Sequence, residues 1–295
     1  MVLVEDFIKY LRYEKNYSTH TVLAYEHDLK VFFEFVETQY FAAEPSQISS
    51  EMVRSWVVGL MKNNMTSRTV ARKLSSLKSF WRYLQKRGVV DVNPLYSISN
   101  PKIRKPLPVF LKTSEMSSLL NSFEADSDYF PEKRDQLILE IFYATGMRLS
   151  ELVGLKEESV DLKKSMIKVT GKRNKQRVIP FAEKLNASIQ DYLRLKYEQL
   201  EHPQDVLFVQ NDGQPMTTHM VYRLVHAQLS KIGTLSKNSP HVLRHTFATA
   251  LLNEGAELNA VKELLGHSSL SATEVYTHAS FAELKKIYKQ AHPRA

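Results

Sequence analysis

Between Ser239 and His278 the chain carries His241, Arg244, His267 and Tyr276 at spacings that suit chemistry on one phosphate. Ser239 followed by Pro240 reads as a helix N-cap and first-turn proline. That places His241 in the first turn and Arg244 one turn on, roughly on the same face. The free N–H groups of a helix start favour an anion, and a guanidinium adds planar, permanently charged donors that match phosphate oxygens. Gly266 reads as the stop of a helix over Leu258 to Leu265, and His267 follows it directly. Ser271 and Glu274 form a capping box for a short helix that carries Tyr276. A phenol beside a phosphate held by Arg and His is a nucleophile, and its attack would form a phosphotyrosine and release an alcohol. Taken singly, each residue has an ordinary reading: tyrosines at helical spacing mostly pack, and lone histidines are mostly surface or satisfied core groups. His241 and His245 stand four apart, a spacing that also suits zinc, but the metalloprotease pattern needs Glu after the first His and Val242 stands there.

The runs HVLRHTFATALL and LLGHSSLSATEVYTH resemble the C-terminal signature of the tyrosine recombinase (phage integrase) family. The resemblance implies that His241, Arg244, His267 and Tyr276 are catalytic, Tyr276 being the nucleophile that becomes an O-(3′-phospho-DNA)-tyrosine. ATGMRLSELVGL is similar to the family's first arginine box, which implies that Arg148 contacts the scissile phosphate with Glu151 in support. VTGKRNKQRVIP is similar to the β-hairpin bearing the catalytic lysine, here Lys172; the family often has a second glycine after it, where this chain has Arg173. Length, domain order and the terminal HPRA resemble the Xer branch, the bacterial chromosome-dimer recombinases, so the resemblance spans essentially the whole chain. It implies a mainly α protein: an N-terminal helical, SAM-like core-binding bundle that clamps one side of the DNA, then a mixed α/β, mostly helical catalytic domain with a small antiparallel sheet.

The bulk properties agree. At 295 residues the chain should hold two domains and a real core. A net charge of +8 and a pI near 9.3 fit a polyanionic partner. With no Cys, disulfides and thiolate metal sites are excluded. The start, MVLVEDFIKYLRYEK, has acids and lysines too early for a signal peptide, and no apolar run approaches the roughly 20 residues of a membrane span. These features predict a cytoplasmic protein, in which the glycosylation sequons at Asn16 and Asn64 carry no meaning.

The first hundred residues read as helices. Val4, Phe7, Ile8 and Leu11 repeat at helical spacing. Ser18 is the expected cap of a second helix, Ser50 of a third, and a fourth runs from about Thr66 to Arg87. On that fourth helix Val70, Leu74, Leu77, Trp81 and Leu84 line one side, while Arg68, Arg72, Lys78, Arg82 and Lys86 gather on the opposite arc at about 100° per residue. No Asp or Glu occurs from Lys62 to Arg87, and a one-sign face argues for phosphate contacts over ordinary solubility. Gly88 ends the helix. A stretch with Pro94, Pro101, Pro106 and Pro108 follows, and its Lys102, Arg104 and Lys105 would track a duplex. The expected division is 1–88 for the DNA-binding domain, 89–108 for the linker and 109–295 for the catalytic domain.

In the second domain, helices are expected over about Thr113 to Phe123, Pro131 to Ala144, Ala182 to Leu200 and Thr217 or Thr218 to Lys231. Met166 to Val169 and Arg177 to Ile179 read as strands around the loop GKRNKQ. An Arg just past a helix stop, as Arg148 is past Gly146, is ordinarily a partner of that helix's C-terminal dipole, and Glu151 would hold it by a hydrogen-bonded pair. The resemblance turns the helix before residue 231 to the major groove, with His219 and Arg223 as candidate readers. Phe281 to Gln290 reads as an amphipathic helix that packs on its own domain or, as the resemblance implies, docks on a neighbouring protomer in a cyclic tetramer.

The expected mechanism follows from these positions. Arg148 and Arg244 clamp the phosphate, Tyr276 attacks, His241 helps take its proton, and His267 hydrogen-bonds a non-bridging oxygen. Lys172, its pKa depressed by neighbouring cations, protonates the 5′-oxygen. No metal or other cofactor is called for, because the arginines supply the charge that Mg²⁺ gives a nuclease. The partners implied are a double-stranded recombination site, further copies of the chain or a paralogous recombinase, and a DNA translocase, but no membrane. A mobile-element integrase and a type IB topoisomerase share the chemistry. A metal-dependent phosphodiesterase would instead use the histidines as ligands, and a non-catalytic DNA binder would need only the basic faces.

Overall fold

The computed structural model describes residues 2–103, 109–124, 127–171, 176–266 and Tyr288. The chain divides into two compact units, Met1–Pro106 and Leu107–Ala295.

The first unit is built from α1 (Val2–Lys9), which widens into a π turn over Tyr10–Glu14, α2 (Thr19–Tyr40), α3 (Ser50–Lys62) and α4 (Ser67–Lys86). Local sequence sets the helix starts: the hydroxyls of Ser18 and Thr66 accept from the backbone of Thr21 and Thr69 at 3.3 and 3.2 Å. The third helix corrects the expectation by one residue. Ser49, in extended backbone, is the cap and accepts from Met52 N at 3.4 Å, so Ser50 is the first helical residue. Phe7, Phe32, Leu77 and Trp81 meet in the core, each fully buried.

Asp28 on α2 is buried beneath α4 and accepts from Arg72 Nη2 (2.9 Å), Lys73 Nζ (2.9 Å) and Ser76 Oγ (2.7 Å). Burial pushes its carboxyl up, but the bonds from Arg72, Ser76 and Lys73 outweigh that and hold it below the usual range. The basic arc of α4 is therefore not purely an outward face. Arg72 has a carboxylate partner 44 positions away, and Lys78 Nζ donates to Ile98 O at 2.8 Å, tying down the chain beyond the helix.

The second unit contains α5 (Thr113–Asn121), α6 (Phe130–Thr145), α7 (Leu149–Val153), strands β1 (Val160–Asp161), β2 (Met166–Thr170) and β3 (Gln176–Pro180), then α8 (Glu183–Gln199), α9 (Thr218–Ser230), α10 (Pro240–Asn253) and α11 (Leu258–Leu265). The strands form one antiparallel sheet in the order β1-β2-β3. The two-residue β1 carries too little pattern to be foreseen. Further along, Val206 and Val209 make only isolated bridges, with Lys156 and Pro215 respectively. α6 packs against α8 and α10, and its second half, Leu137 to Thr145, is buried and mostly apolar all round, while its first half carries the charged run Glu132 to Asp135. The chain is thus mostly helical with a small antiparallel sheet.

A smaller cluster joins Phe247 and Leu251 of α10 to Val261 and Leu264 of α11. Tyr288, the described residue of the predicted tail helix, is helical, 1% exposed and packed into this cluster of its own unit. The rest of that helix, and the capping box at Ser271 and Glu274, lie outside the described residues. No helix among the described residues is long and apolar enough to cross a membrane.

Candidate active site

Two glycines begin the site. α6 ends at Gly146 (φ +57°) and α11 at Gly266 (φ +66°), both in the left-handed region that any Cβ strains. Space is tight as well. A Cβ on Gly146 would run into the Phe247 ring, and one on Gly266 would lie 3.1 Å from Arg177 Cδ. Each glycine hands its carbonyl to an arginine.

Arg148 stands immediately before α7. Its backbone N–H donates to Glu151 Oε2 (2.7 Å), its Nη1 to Glu151 Oε1 (2.8 Å) and its Nη2 to Gly266 O (2.9 Å). The ordinary reading of an arginine past a helix stop pairs it with the helix it follows; here Arg148 bonds the end of α11 instead, with Glu151 holding it. The carbonyl of Gly146 is taken by Arg244 Nη1 at 2.7 Å, while Arg244 Nη2 reaches Leu265 O at 2.7 Å. Arg177, on β3, places Nε on Leu264 O (2.8 Å) and both terminal nitrogens on Glu151 (2.8 and 2.9 Å).

Three successive carbonyls, those of Leu264, Leu265 and Gly266, therefore each hold one guanidinium from a different part of the chain. The physics is that of a helix C-terminus, whose last carbonyls lack intrahelical partners and form the negative end of the dipole. Three guanidiniums face one carboxylate, so two positive charges are left over. Burial pushes the Glu151 carboxyl up, but Arg177 and then Arg148 bring it down to about 2. Arg244 is lowered to about 10, first by burial and then by the charges of Arg148 and Arg177, and stays protonated at neutral pH. Of the three arginines Arg148 is the most open, its side chain 34% exposed against 5% for Arg177, and Arg244 is buried. Such a cluster is arranged to receive an anion.

Ser239 occupies the cap position of α10 with Pro240 at the first turn, but its hydroxyl makes no capping bond. His241 and Arg244 do not share an environment: His241 is exposed and Arg244 is buried. The His245 imidazole is lowered by burial, then by His241 and Arg244, which favours its neutral form. Among the described residues no group of three or more His, Cys, Asp or Glu could hold a metal ion. Lys172, Arg173, His267 and Tyr276 lie outside the described residues, although His267 directly follows Gly266 in the chain.

Arg177 is the site residue that sequence reasoning passed over as an ordinary strand position. A signal was present. In β3 it is in phase with Ile179, and the register sets Val169 opposite Arg177 and Ile167 opposite Ile179, all four buried. An arginine on the apolar face of a strand needs a carboxylate. Of the residues expected to meet DNA, Arg68, Arg82, Lys86 and Lys102 are exposed, as are His219 and Arg223 on α9. Arg72 and Lys78 have the internal partners described above, and Arg104 and Lys105 lie outside the described residues.

Residues 109–283 match the phage integrase family, and residues 4–88 match the N-terminal SAM-like domain of phage integrases. The chain is 38% identical to the tyrosine recombinase XerC of Thermodesulfovibrio yellowstonii, covering 98% of this chain and 96% of that one. It is 36% identical to the tyrosine recombinase XerD of Listeria innocua, covering 99% of each. Its fold is similar to that of the XerH site-specific recombinase, solved in a post-cleavage complex with a palindromic difH substrate, at a TM-score of 0.70, 23% identity and coverage of 98% and 81%. On these matches the chain belongs to the phage integrase family of tyrosine recombinases.

Proposed function

We propose that the protein is a site-specific DNA recombinase that resolves chromosome dimers in the cytoplasm, cutting and rejoining DNA through a 3′-phosphotyrosyl intermediate on Tyr276. The observation that carries the reading is the gathering of Arg148, Arg177 and Arg244 on the last carbonyls of α11, directly before His267. It supplies the surplus positive charge that a phosphodiester gains from in its transition state.

In this reading Arg148 and Arg244 hold the non-bridging oxygens, and His267 adds a hydrogen bond. Tyr276 Oη attacks phosphorus in line, the bond to the 5′-oxygen breaks, His241 helps take the phenol proton and Lys172 protonates the leaving oxygen. The phosphodiester energy is kept in the phosphotyrosine, so a partner strand's 5′-hydroxyl can rejoin the DNA without ATP or metal. Residues 1–88 and 109–295 are taken as the two DNA-gripping domains, joined by 89–108. Arg68, Arg82, Lys86 and Lys102 are the exposed backbone contacts, with Arg104 and Lys105 beside them in sequence. Four protomers, of this chain or of this chain and a paralogue, would act on two sites, with a DNA translocase as the activating partner. The whole-length likeness to proteins named XerC and XerD supports dimer resolution over mobile-element integration.

The test is covalent trapping in EDTA on a nicked duplex carrying the protein's recombination site, the nick lying just 3′ of the scissile phosphate so that the cleaved fragment diffuses away. Wild type is expected to give an SDS-resistant adduct and Tyr276→Phe none. An adduct in both, or one that forms only with added metal, overturns the mechanism.

A further inference from the structure

We infer that Arg177 is a positioning residue for strand cleavage, acting through Glu151 on the charge and placement of Arg148. The inference rests on the recombinase reading above. Arg177 is too enclosed to touch DNA: its side chain is 5% exposed, its Nε is committed to Leu264 O, and its two terminal nitrogens are committed to the two oxygens of Glu151. Its effect must pass through what it holds.

It holds two things. The first is the Glu151 carboxylate, which also receives the backbone and guanidinium of Arg148. Glu151 serves two cations, so its charge is divided between them. Without Arg177 the whole carboxylate would fall on Arg148, and the surplus of two positive charges would drop to one. The second is the end of α11. Arg177 pins Leu264 O, two residues before the carbonyl that orients Arg148, while Gly266, lacking a Cβ, lies against the Arg177 side chain. The same residue sits in the β2–β3 ladder opposite Val169. One guanidinium thus fixes the hairpin strand, the carboxylate and the helix end relative to one another.

The experiment uses the full chain on the nicked duplex in two forms, one with a natural scissile phosphate and one with a methylphosphonate there, which lacks the negative charge. Wild type, Arg177→Met and Arg177→Lys are compared for the single-turnover rate of adduct formation, DNA affinity and thermal unfolding. On the phosphate, Arg177→Met is expected to slow adduct formation by on the order of 10- to 100-fold, with affinity within about threefold because few phosphate contacts change. On the methylphosphonate the deficit should shrink to about fivefold or less, since the arginine charge then has less to neutralise. Arg177→Lys, which keeps a charge but loses the fork, should fall between. A deficit of the same size on both substrates means that Arg177 only supports the fold and overturns the inference, as does an unslowed Arg177→Met. If Arg177→Met does not melt cooperatively, the ratio of the two substrates for Arg177→Lys decides by the same criterion. Failure of wild type itself to form an adduct on the phosphate would strike the recombinase reading instead.

Discussion

Replacing Glu151 with Gln removes the carboxylate shared by Arg148 and Arg177 while keeping the size of the side chain. The carboxyl is shifted from 4.5 to about 2, which at ~1.4 kcal/mol per unit is about 3 kcal/mol of stability. A lowered folded value means that this stability is fully present above pH 4.5 and is lost as pH falls through about 2. At pH 3 only about 1 kcal/mol remains. The glutamine variant has no such dependence. At pH 7 it should cost about 3–5 kcal/mol, because the enclosed Arg177 and the partly open Arg148 lose their shared counter-charge. The gap between wild type and variant should then narrow by about 2 kcal/mol on going from pH 7 to pH 3. Urea unfolding offers an internal control. The chain's two tryptophans, Trp56 and Trp81, are both buried in the first unit, so their fluorescence reads that unit, while far-UV circular dichroism reads both. The dichroism transition of the second unit should move and the fluorescence transition should not. A gap that stays constant from pH 7 to pH 3, or an equal shift in fluorescence, would refute the assignment of the stabilisation to this carboxylate.

Three further outcomes follow from the same contacts. Asp28→Asn leaves Arg72 and Lys73 without a buried counter-charge, so the fluorescence-detected transition of the first unit should lose about 3–5 kcal/mol while the second unit is unaffected. Gly266→Ala meets a left-handed backbone and the Arg177 side chain at 3.1–3.3 Å. It should cost about 1–2 kcal/mol from the backbone alone and slow adduct formation on the nicked duplex, whereas cleavage at the wild-type rate would show that the arginines tolerate a moved helix end. Tyr276→Phe should bind the site with unchanged affinity and yield no adduct in EDTA, and any adduct from it would place the nucleophile elsewhere.

What was legible in the sequence and what was not divides by chain separation. Ser18, Thr66 and Gly266 fix helix ends through bonds within a few residues, so a local pattern locates them, and the one-residue error at Ser49 arose between two adjacent serines. Arg148 with Glu151 is likewise three residues apart and was foreseen. Asp28 with Arg72 and Glu151 with Arg177 stand 44 and 26 apart, and only the packed fold brings them together. That distance is why the α4 arc read as a one-sign face, and why Arg177 passed as an ordinary strand residue.

The deeper reason is that the organiser of the site is backbone. Nothing in the letters Leu264, Leu265 and Gly266 announces an electrostatic role, since carbonyls are common to every residue. They acquire it because α11 stops there, leaving orphan acceptors at the negative end of a dipole. A helix end alone would attract any cation from solvent, but here the cations come from α10, β3 and the turn before α7, and Gly266 leaves room for the Arg177 side chain. A phosphodiester entering such a cluster meets guanidiniums already held in place, so little reorganisation opposes the gain in charge as the transition state forms. The conformational work of aligning them is done on folding, and Glu151, shared between the most open arginine and the most enclosed one, joins that folding energy to the chemistry.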